Sequence, residues 1–276
     1  MEILEATLFL ALLAGLLSVM LVVASRRFAV EEDPLIGQVN ETLPQYNCGA
    51  CGFPGCSGFA GHVVASRDPN AVCIPGGPEL ARRIGALLGM EVKVTAPTAA
   101  HVFCKGTNGV AVAAGEYIGL KSCIAADLVN AATKECPSGC LGLGSCVDAC
   151  QFGAIRIIDG IAEIVEDKCV ACAKCVAACP RNLIRMEPKG SKVCVECSTK
   201  GRGAAVKKYC QVGCIKCMLC VKNCPEKAIA LVNETIVIDH ARCKRHFQCI
   251  AVCPQKCILA IQLEVPELSK AEGGEA

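Results

Sequence analysis

The sequence predicts an α+β protein that consists of an N-terminal transmembrane helix, a small cysteine-rich module and two tandem copies of a further unit. Three observations lead to this fold class: an apolar run near the N-terminus, 25 cysteines in recurring spacings, and an internal repeat later in the chain. Aromatic residues make up only 4% of the 276 residues, so bulky core-forming side chains are scarce. The formal net charge of +2 is too balanced to indicate a nucleic-acid-binding protein.

The apolar run is long enough to cross a membrane. Residues 7–24 read TLFLALLAGLLSVMLVVA, and with Ile3 and Leu4 they reach the roughly 20 residues that a spanning helix needs. A signal peptide is disfavoured because no basic segment precedes the run and no small-residue cleavage site follows it. A buried core helix is disfavoured because no polar face is visible. Arg26 and Arg27 follow at once, so the positive-inside rule predicts a cell-membrane anchor with the bulk of the chain in the cytoplasm.

Cysteine spacing indicates metal binding rather than disulfide formation. Residues 169–180 read CVACAKCVAACP, the C-x2-C-x2-C-x3-C-P run that holds iron–sulfur clusters in two-cluster bacterial ferredoxins. Residues 214–225 repeat this run as CIKCMLCVKNCP. Free thiols require a reducing compartment, which agrees with the cytoplasmic side predicted for the chain. The spacing therefore predicts an electron carrier.

The two runs belong to an internal repeat, because residues 136–180 fall on residues 210–254 without a gap. In each copy two short β-prone segments flank a two-residue turn, Asp159-Gly160 in the first and Asn233-Glu234 in the second. We therefore predict two tandem bacterial-ferredoxin-like units, each with a hairpin beside short helices. The predicted strand pairs are 154–158 with 161–165, and 228–232 with 235–238.

Composition divides the chain into seven segments. Polar or proline-containing stretches separate the modules, and the tail after Pro266 is acidic and small, so it is predicted to be disordered. The predicted segments are a transmembrane anchor at 1–27, a linker at 28–45, a [4Fe-4S] module at 46–90, a second linker at 91–103, ferredoxin-like unit 1 at 104–188, ferredoxin-like unit 2 at 189–264 and a disordered tail at 265–276.

In unit 1, ligand assignment follows the rule that the fourth cysteine of each run binds the other cluster. One position departs from the pattern, because Leu143 stands where the middle ligand of the first run is expected. Cys136 is the nearest substitute and is assigned in its place. The predicted sets are Cys136, Cys140, Cys146 and Cys179 for cluster 2, and Cys150, Cys169, Cys172 and Cys175 for cluster 3.

Unit 2 has one complete set and one incomplete set. His246 stands at the position that Cys172 has in unit 1. An imidazole can ligate cluster iron; the alternative is a three-cysteine site, with a three-iron cluster or a cubane completed by water or Cys257. Either way, one thiolate fewer is expected to raise the reduction potential of that cluster. The predicted sets are Cys214, Cys217, Cys220 and Cys253 for cluster 4, and Cys224, Cys243 and Cys249, with His246 as the fourth candidate, for cluster 5.

The small module carries residues 48–56, CGACGFPGC, and a further cysteine, Cys73, after a helical stretch. Its glycines allow tight turns and bring N–H groups towards the sulfurs. A zinc site usually pairs two C-x2-C knuckles, whereas three crowded cysteines with one distant cysteine favour a cubane. The predicted ligands of cluster 1 are Cys48, Cys51, Cys56 and Cys73, which brings the total to about five [4Fe-4S] clusters.

Six cysteines remain outside these sets: Cys104, Cys123, Cys194, Cys197, Cys210 and Cys257. We interpret them as reduced, buried thiols left by the duplication. The alternative is a further metal site on Cys194, Cys197 and Cys210, with a fourth ligand from elsewhere in the chain.

The span that ends in Arg26-Arg27, the CGACGFPGC module and the ferredoxin-like units together resemble the B subunit of the Rnf/Rsx ion-translocating electron transport (ferredoxin:NAD oxidoreductase) complex. The resemblance covers nearly the whole chain and is to an extended form with two ferredoxin units. It implies a subunit that passes electrons from reduced ferredoxin towards flavin- and NAD-binding subunits. The membrane complex would couple this transfer to translocation of Na+ or H+.

The residues agree with such a division of labour. The chain has no glycine-rich dinucleotide or phosphate loop in a strand–helix context, and no charged residue inside the apolar run. Ion translocation and NAD chemistry are therefore expected on other subunits, and electron transfer needs no catalytic acid, base or nucleophile here. The competing hypotheses are a polyferredoxin subunit of another membrane redox enzyme, such as a hydrogenase, and a zinc-binding scaffold.

Overall fold

The computed structural model describes residues 2–28, 33–93, 96–190 and 192–261, so the predicted tail at 265–276 lies outside the described residues. The helices are α1 (Glu2–Arg27), α2 (Pro34–Thr42), α3 (Cys56–Ser66), α4 (Gly77–Leu88), α5 (Cys123–Leu128), α6 (Ser145–Asp148), α7 (Lys174–Ala177), α8 (Gly203–Tyr209), α9 (Leu219–Lys222) and α10 (Gln248–Ala251). The strands are β1 (Thr98–Val102), β2 (Ile155–Ile158), β3 (Ile161–Ile164), β4 (Ile184–Pro188), β5 (Lys192–Val195), β6 (Ile229–Val232), β7 (Thr235–Ile238) and β8 (Ile258–Ile261).

Helix α1 has the length and composition of a membrane span. Its segment Leu4–Arg27 has a mean hydropathy of 2.6, and none of that segment is buried. Apolar side chains such as Leu10, Leu16 and Leu21 are exposed on it. A helix that is apolar all round needs an apolar surrounding. The predicted helix is therefore confirmed in its position and its length, and it is long enough to cross a bilayer.

The small module consists of α2, α3 and α4 around one apolar core. Asp33 caps α2, because its side chain accepts a hydrogen bond of 2.9 Å from the Leu35 amide, and Pro34 follows at the start of the helix. The predicted linker at 28–45 contains α2, whose Val39 is fully buried in the module core. An Asp-Pro pair is a helix-start signal. The polar residues around it favoured the interpretation as a linker instead.

Both predicted hairpins are confirmed. β2 pairs with β3, and β6 pairs with β7, each in antiparallel orientation. The turn residues have positive φ, 46° and 75° at Asp159-Gly160 and 45° and 60° at Asn233-Glu234. Two successive positive φ values define a type I′ turn, whose twist matches that of the strands it joins.

Each unit has a second sheet that joins its beginning to its end. β1 pairs with β4 in unit 1, with Val102 opposite Ile184, and β5 pairs with β8 in unit 2. The predicted linker at 91–103 thus contains β1, which pairs with a strand of unit 1. Pro97 directly precedes β1, a position that proline can occupy at the start of a strand. The partner strand β4 lies so far along the chain that no local pattern indicates the pairing.

Candidate metal centres

All 25 cysteines carry free thiols. Within the described ranges, each of them except Cys194 lies in a group with other cysteines, around a shared cavity or close enough to raise another thiol's pKa. In the same ranges no three His, Cys, Asp or Glu side chains are arranged to hold a single metal ion. Groups 1 to 5 carry the numbers of the predicted clusters, and group 6 is additional.

Group 1 lies at the start of α3 and contains the four predicted ligands of cluster 1: Cys48, Cys51, Cys56 and Cys73. Burial raises the pKa of Cys73 to about 11, and the three other thiols add to the effect. Asn47 holds the loop, because its Oδ1 accepts a hydrogen bond of 2.8 Å from the Cys56 amide. Gly55 has a φ of 106°, and a Cβ there would stand 2.9 Å from that oxygen. This position therefore requires glycine.

Group 3 contains the four predicted ligands of cluster 3: Cys150, Cys169, Cys172 and Cys175. Burial raises the pKa of Cys175 to about 11, and the three other thiols raise it further, so the four lie near one another. β1 lies against this group, since the Ala100 amide donates a hydrogen bond of 3.4 Å to Cys169 Sγ. Cys169 also lines a cavity together with Cys51 and Cys73, which places group 3 beside group 1.

Group 2 differs from the prediction in one member. Cys140, Cys146 and Cys179 line one cavity as predicted, but the fourth cysteine there is Cys123. Burial, together with the thiols of Cys140, Cys123 and Cys179, raises the pKa of Cys146 to about 12. Cys136 lies in a different group. The structure therefore places Cys123, and not the predicted Cys136, beside these three cysteines.

Two serines position Cys123. Helix α5 begins at Cys123, and Ser122 caps it through a hydrogen bond of 3.4 Å from an amide of the first turn. The Cys123 amide donates to Ser145 Oγ at 2.8 Å, and Ser145 starts α6 directly before Cys146. This contact brings a distant cysteine to the place where Leu143 supplies no thiol. Spacing within the run could not indicate it, because the contact is tertiary.

Two cations lie beside the thiols of unit 1. Lys134 is only 4% exposed, and its Nζ donates to the Cys140 carbonyl at 2.8 Å. Arg181 Nη1 donates to the Gly139 carbonyl at 2.9 Å. Burial raises the pKa values of Cys140 and Cys136, and the charges of Lys134 and Arg181 respectively oppose this rise. Positive charge at these positions favours thiolates, and charge around a cluster also sets its potential.

Group 4 contains the four predicted ligands and one further thiol, which line one cavity: Cys214, Cys217, Cys220, Cys253 and Cys257. Cys257 Sγ lies 3.6 Å from Cys253 Sγ. Hydrogen bonding from Cys257 lowers the pKa of Cys253 to about 5 and that of Cys214 to about 7. Cys257 is thus a neighbour of the cluster 4 ligands. The alternative in which it completes cluster 5 does not agree with this position.

Group 5 has three thiols and an imidazole around one cavity: Cys224, Cys243, Cys249 and His246. Burial, with the thiols of Cys243 and Cys224, raises the pKa of Cys249 to about 11. His246 Nε2 lies 3.2 Å from Glu226 Oε1, and the side chain is 45% exposed. One ring nitrogen is therefore engaged by a carboxylate near the protein surface.

Group 6 was not predicted as a set. Its members line one cavity between the two units: Cys104, Cys136, Cys197 and Cys210. Of the alternative site on Cys194, Cys197 and Cys210, the structure brings Cys197 and Cys210 together, but Cys194 lies elsewhere. Cys194 is 1% exposed inside β5, where burial and the carboxylates of Glu187 and Glu196 raise its pKa to about 12.

Three family models match parts of the chain. One, described as an Fe-S cluster, matches residues 43–75; a 4Fe-4S binding domain matches residues 162–185; and a 4Fe-4S dicluster domain matches residues 207–254. These ranges contain group 1, most of group 3 and nearly all of groups 4 and 5. The matches agree with the free-thiol donor sets of the structure and support iron–sulfur clusters.

Relatives extend over most of the chain. The B subunit of the ion-translocating oxidoreductase complex of Methanosarcina acetivorans is 41% identical over 90% of this chain and 96% of the relative. The chain belongs to this B-subunit family. The B subunit of the proton-translocating ferredoxin:NAD(+) oxidoreductase complex of Clostridium ljungdahlii is 40% identical over 86% of this chain and 85% of the relative. The Na(+)-translocating counterpart of Acetobacterium woodii is 35% identical over 86% of this chain and 72% of the relative.

Membership of the B-subunit family confirms the predicted resemblance. The mixed helix-and-strand structure with ferredoxin-like units confirms the predicted fold class. Together with α1, membership places the protein at a membrane. Neither a hydrogenase subunit nor a zinc scaffold accounts for relatives of this name over most of the chain.

Proposed function

We propose that this chain is the iron–sulfur electron-transfer subunit of an ion-translocating ferredoxin:NAD oxidoreductase complex. The observation that carries the proposal is the arrangement of groups 2 to 5, which repeats in two tandem units the paired cluster sites of bacterial ferredoxins. Two relatives in the family carry the names of ferredoxin:NAD(+) oxidoreductases that translocate Na+ or protons. Reduced ferredoxin is accordingly the proposed electron donor, and flavin- and NAD-binding subunits are the proposed partners.

The donor chemistry of the groups fits [4Fe-4S] clusters. All donors in groups 1 to 4 are free thiols, and amides donate to sulfurs such as Cys169 Sγ and Cys179 Sγ at 3.4 Å. Clusters bound there supply one-electron redox chemistry. The chain's own part is to bind them, to shield them from water and to set the charge around them. Because burial raises the pKa of thiols such as Cys73, Cys146 and Cys175, binding of iron must displace their protons.

Where the structure differs from the ligand sets predicted by cysteine spacing, the proposed ligands follow the structure. Cluster 2 uses Cys123 in place of Cys136, and cluster 5 uses three cysteines. The full sets are Cys48, Cys51, Cys56 and Cys73 for cluster 1; Cys123, Cys140, Cys146 and Cys179 for cluster 2; Cys150, Cys169, Cys172 and Cys175 for cluster 3; Cys214, Cys217, Cys220 and Cys253 for cluster 4; and Cys224, Cys243 and Cys249 for cluster 5.

The proposed orientation places the cluster-binding part of the chain in the cytoplasm. Arg26 and Arg27 occupy the last turn of α1, at the end that leads into the module. Basic residues at the end of a span favour the cytoplasmic side. On that side the thiols stay reduced and a soluble ferredoxin has access to the units.

Metal analysis tests the proposed function. The full chain would be purified in detergent without oxygen, and iron, acid-labile sulfide and zinc would be measured with electron paramagnetic resonance before and after reduction. We expect about four irons for each four-thiol site, and signals on reduction that are broadened by coupling between neighbouring clusters. Zinc in place of iron, after iron-replete anaerobic expression, would contradict the proposal.

His246→Cys is expected to add about one iron per chain. We propose that group 5 holds a three-iron cluster, because Glu226 engages His246 Nε2 and three thiols remain. The wild type should then show a three-iron resonance when oxidised, and the variant should lose it. His246→Ala is the control, since it removes the imidazole without adding a thiol and should leave the resonance in place. Absence of a three-iron resonance in the oxidised wild type would instead indicate a fourth ligand such as His246.

A further inference from the structure

The two units contribute equivalent cysteines to group 6. Cys136 in unit 1 falls on Cys210 in unit 2 when the repeat is aligned. Cys104 and Cys197 are also equivalent, because each follows the strand, β1 or β5, that pairs with the last strand of its unit. Group 6 therefore joins one pair of cysteines from each unit across the boundary between them.

The backbone holds the two pairs together. Cys104 and Cys197 lie opposite each other in an isolated antiparallel bridge. Cys210 ends α8 and forms a second antiparallel bridge with Ala111. Cys136 begins a turn in which its carbonyl accepts a hydrogen bond of 3.0 Å from the Gly139 amide. All four cysteines line the same cavity as a result.

Two glycines bring the main chain close to these sulfurs. A Cβ at Gly106 would stand 3.7 Å from Cys210 Sγ and 3.8 Å from Cys104 Sγ. A Cβ at Gly139 would stand 3.6 Å from Cys136 Sγ. The same Cβ atoms would stand 3.2 Å from Ala111 Cβ and from Cys136 Cβ respectively, so glycine at these positions lets the main chain lie close to the sulfurs.

Main-chain amides donate to two of the four sulfurs in equivalent ways. The Cys140 amide donates to Cys104 Sγ at 3.5 Å, and the Cys214 amide donates to Cys197 Sγ at 3.3 Å. Hydrogen bonds to cluster sulfurs stabilise thiolates and tune reduction potentials. Cys140 belongs to group 2 and Cys214 to group 4, so group 6 lies directly between these two groups.

A role as separate buried thiols explains these features poorly. Cys194 shows such a thiol in this chain: it is 1% exposed in β5, and carboxylates rather than other thiols act on it. Group 6 instead gathers four thiols from two units around one cavity. A single metal ion fits less well, since no three donors in the described ranges are arranged to hold one.

We infer that Cys104, Cys136, Cys197 and Cys210 bind a sixth [4Fe-4S] cluster at the boundary between the two ferredoxin-like units. The inference rests on the proposed electron-transfer function, and it adds a site that neither cysteine run contains. Its position connects the sites of unit 1 with those of unit 2. The groups then form one spatial series, in the order 1, 3, 2, 6, 4 and 5.

The test is a double variant, Cys104→Ala with Cys197→Ala, which removes one ligand from each unit. In the full chain we expect a loss of about four irons and four sulfides relative to the wild type, with the resonances of the other clusters retained. Cys194→Ala is the matched control, because it removes a buried thiol from the neighbouring strand and should lose no iron. Unchanged iron in the double variant, or loss of zinc instead of iron, would overturn the inference.

Native mass spectrometry of the wild type gives a second measurement that does not depend on the folding of a variant. A mass that corresponds to six clusters per chain supports the inference. A mass that corresponds to five clusters overturns it and leaves the proposed function intact. A chain that binds no iron–sulfur cluster under the same conditions contradicts the proposed function itself.

Discussion

Replacing Cys123 by alanine is expected to remove at least one iron per chain from unit 1 and to leave unit 2 unchanged. The reason is that Cys123 is the fourth thiol of group 2, where Leu143 supplies none. Without it, one iron of the cluster has no cysteine ligand. A three-thiolate site retains a three-iron cluster or loses its cluster, so between one and about four irons should disappear. Iron analysis and electron paramagnetic resonance of the oxidised chain measure both outcomes.

A second substitution can restore the site. Leu143→Cys in the Cys123→Ala background rebuilds the C-x2-C-x2-C spacing with Cys140 and Cys146, and iron should return to the wild-type content. Cys194→Ala is again the control for loss of a buried thiol. The assignment would be contradicted if Cys123→Ala kept all its iron, or if Cys136→Ala removed the same resonance as Cys123→Ala.

Ligands within one cysteine run could be predicted from sequence, because a short segment sets their geometry by itself. The three cysteines around Cys172 and the three around Cys217 are of this kind, and the structure brings each trio together: Cys169, Cys172 and Cys175, and Cys214, Cys217 and Cys220. Cys123 and Cys104 could not be placed in this way. Each depends on a tertiary contact, Cys123 on Ser145 and Cys104 on the bridge to Cys197.

The strand pairings also divide into those that local sequence predicts and those that depend on tertiary contacts. The hairpins around Asp159-Gly160 and Asn233-Glu234 follow from two-residue turns that local sequence specifies. The pairings of β1 with β4 and of β5 with β8 join segments that are far apart in the chain, and no local pattern indicates them. These long-range pairings position Cys104 and Cys197. Because the pairings could not be predicted from local sequence, group 6 could not be predicted either.

Removal of iron and sulfide from the full chain is expected to unfold both ferredoxin-like units while the N-terminal helices persist. The helices of the units have only four to seven residues, and all their sheets are two-stranded. Such elements are marginal on their own. Cysteines make up a large part of the cores of the units, so bound metal must supply much of their stability. By contrast, α1 has 26 residues, and α2 to α4 pack around Val39, Phe59 and Ile84.

Hydrogen exchange in detergent, with and without an iron chelator, measures this difference. Amides of the two hairpins should lose at least about a hundredfold of protection, which equals about 2.8 kcal/mol, while α1 to α4 keep theirs and most of the helical circular dichroism is retained. Protection should return after iron and sulfide are added back. Hairpins that stay protected without iron would contradict this view, because hydrophobic packing alone would then hold the units. Simultaneous loss of α2 to α4 would show that the module also depends on its cluster, despite its apolar core.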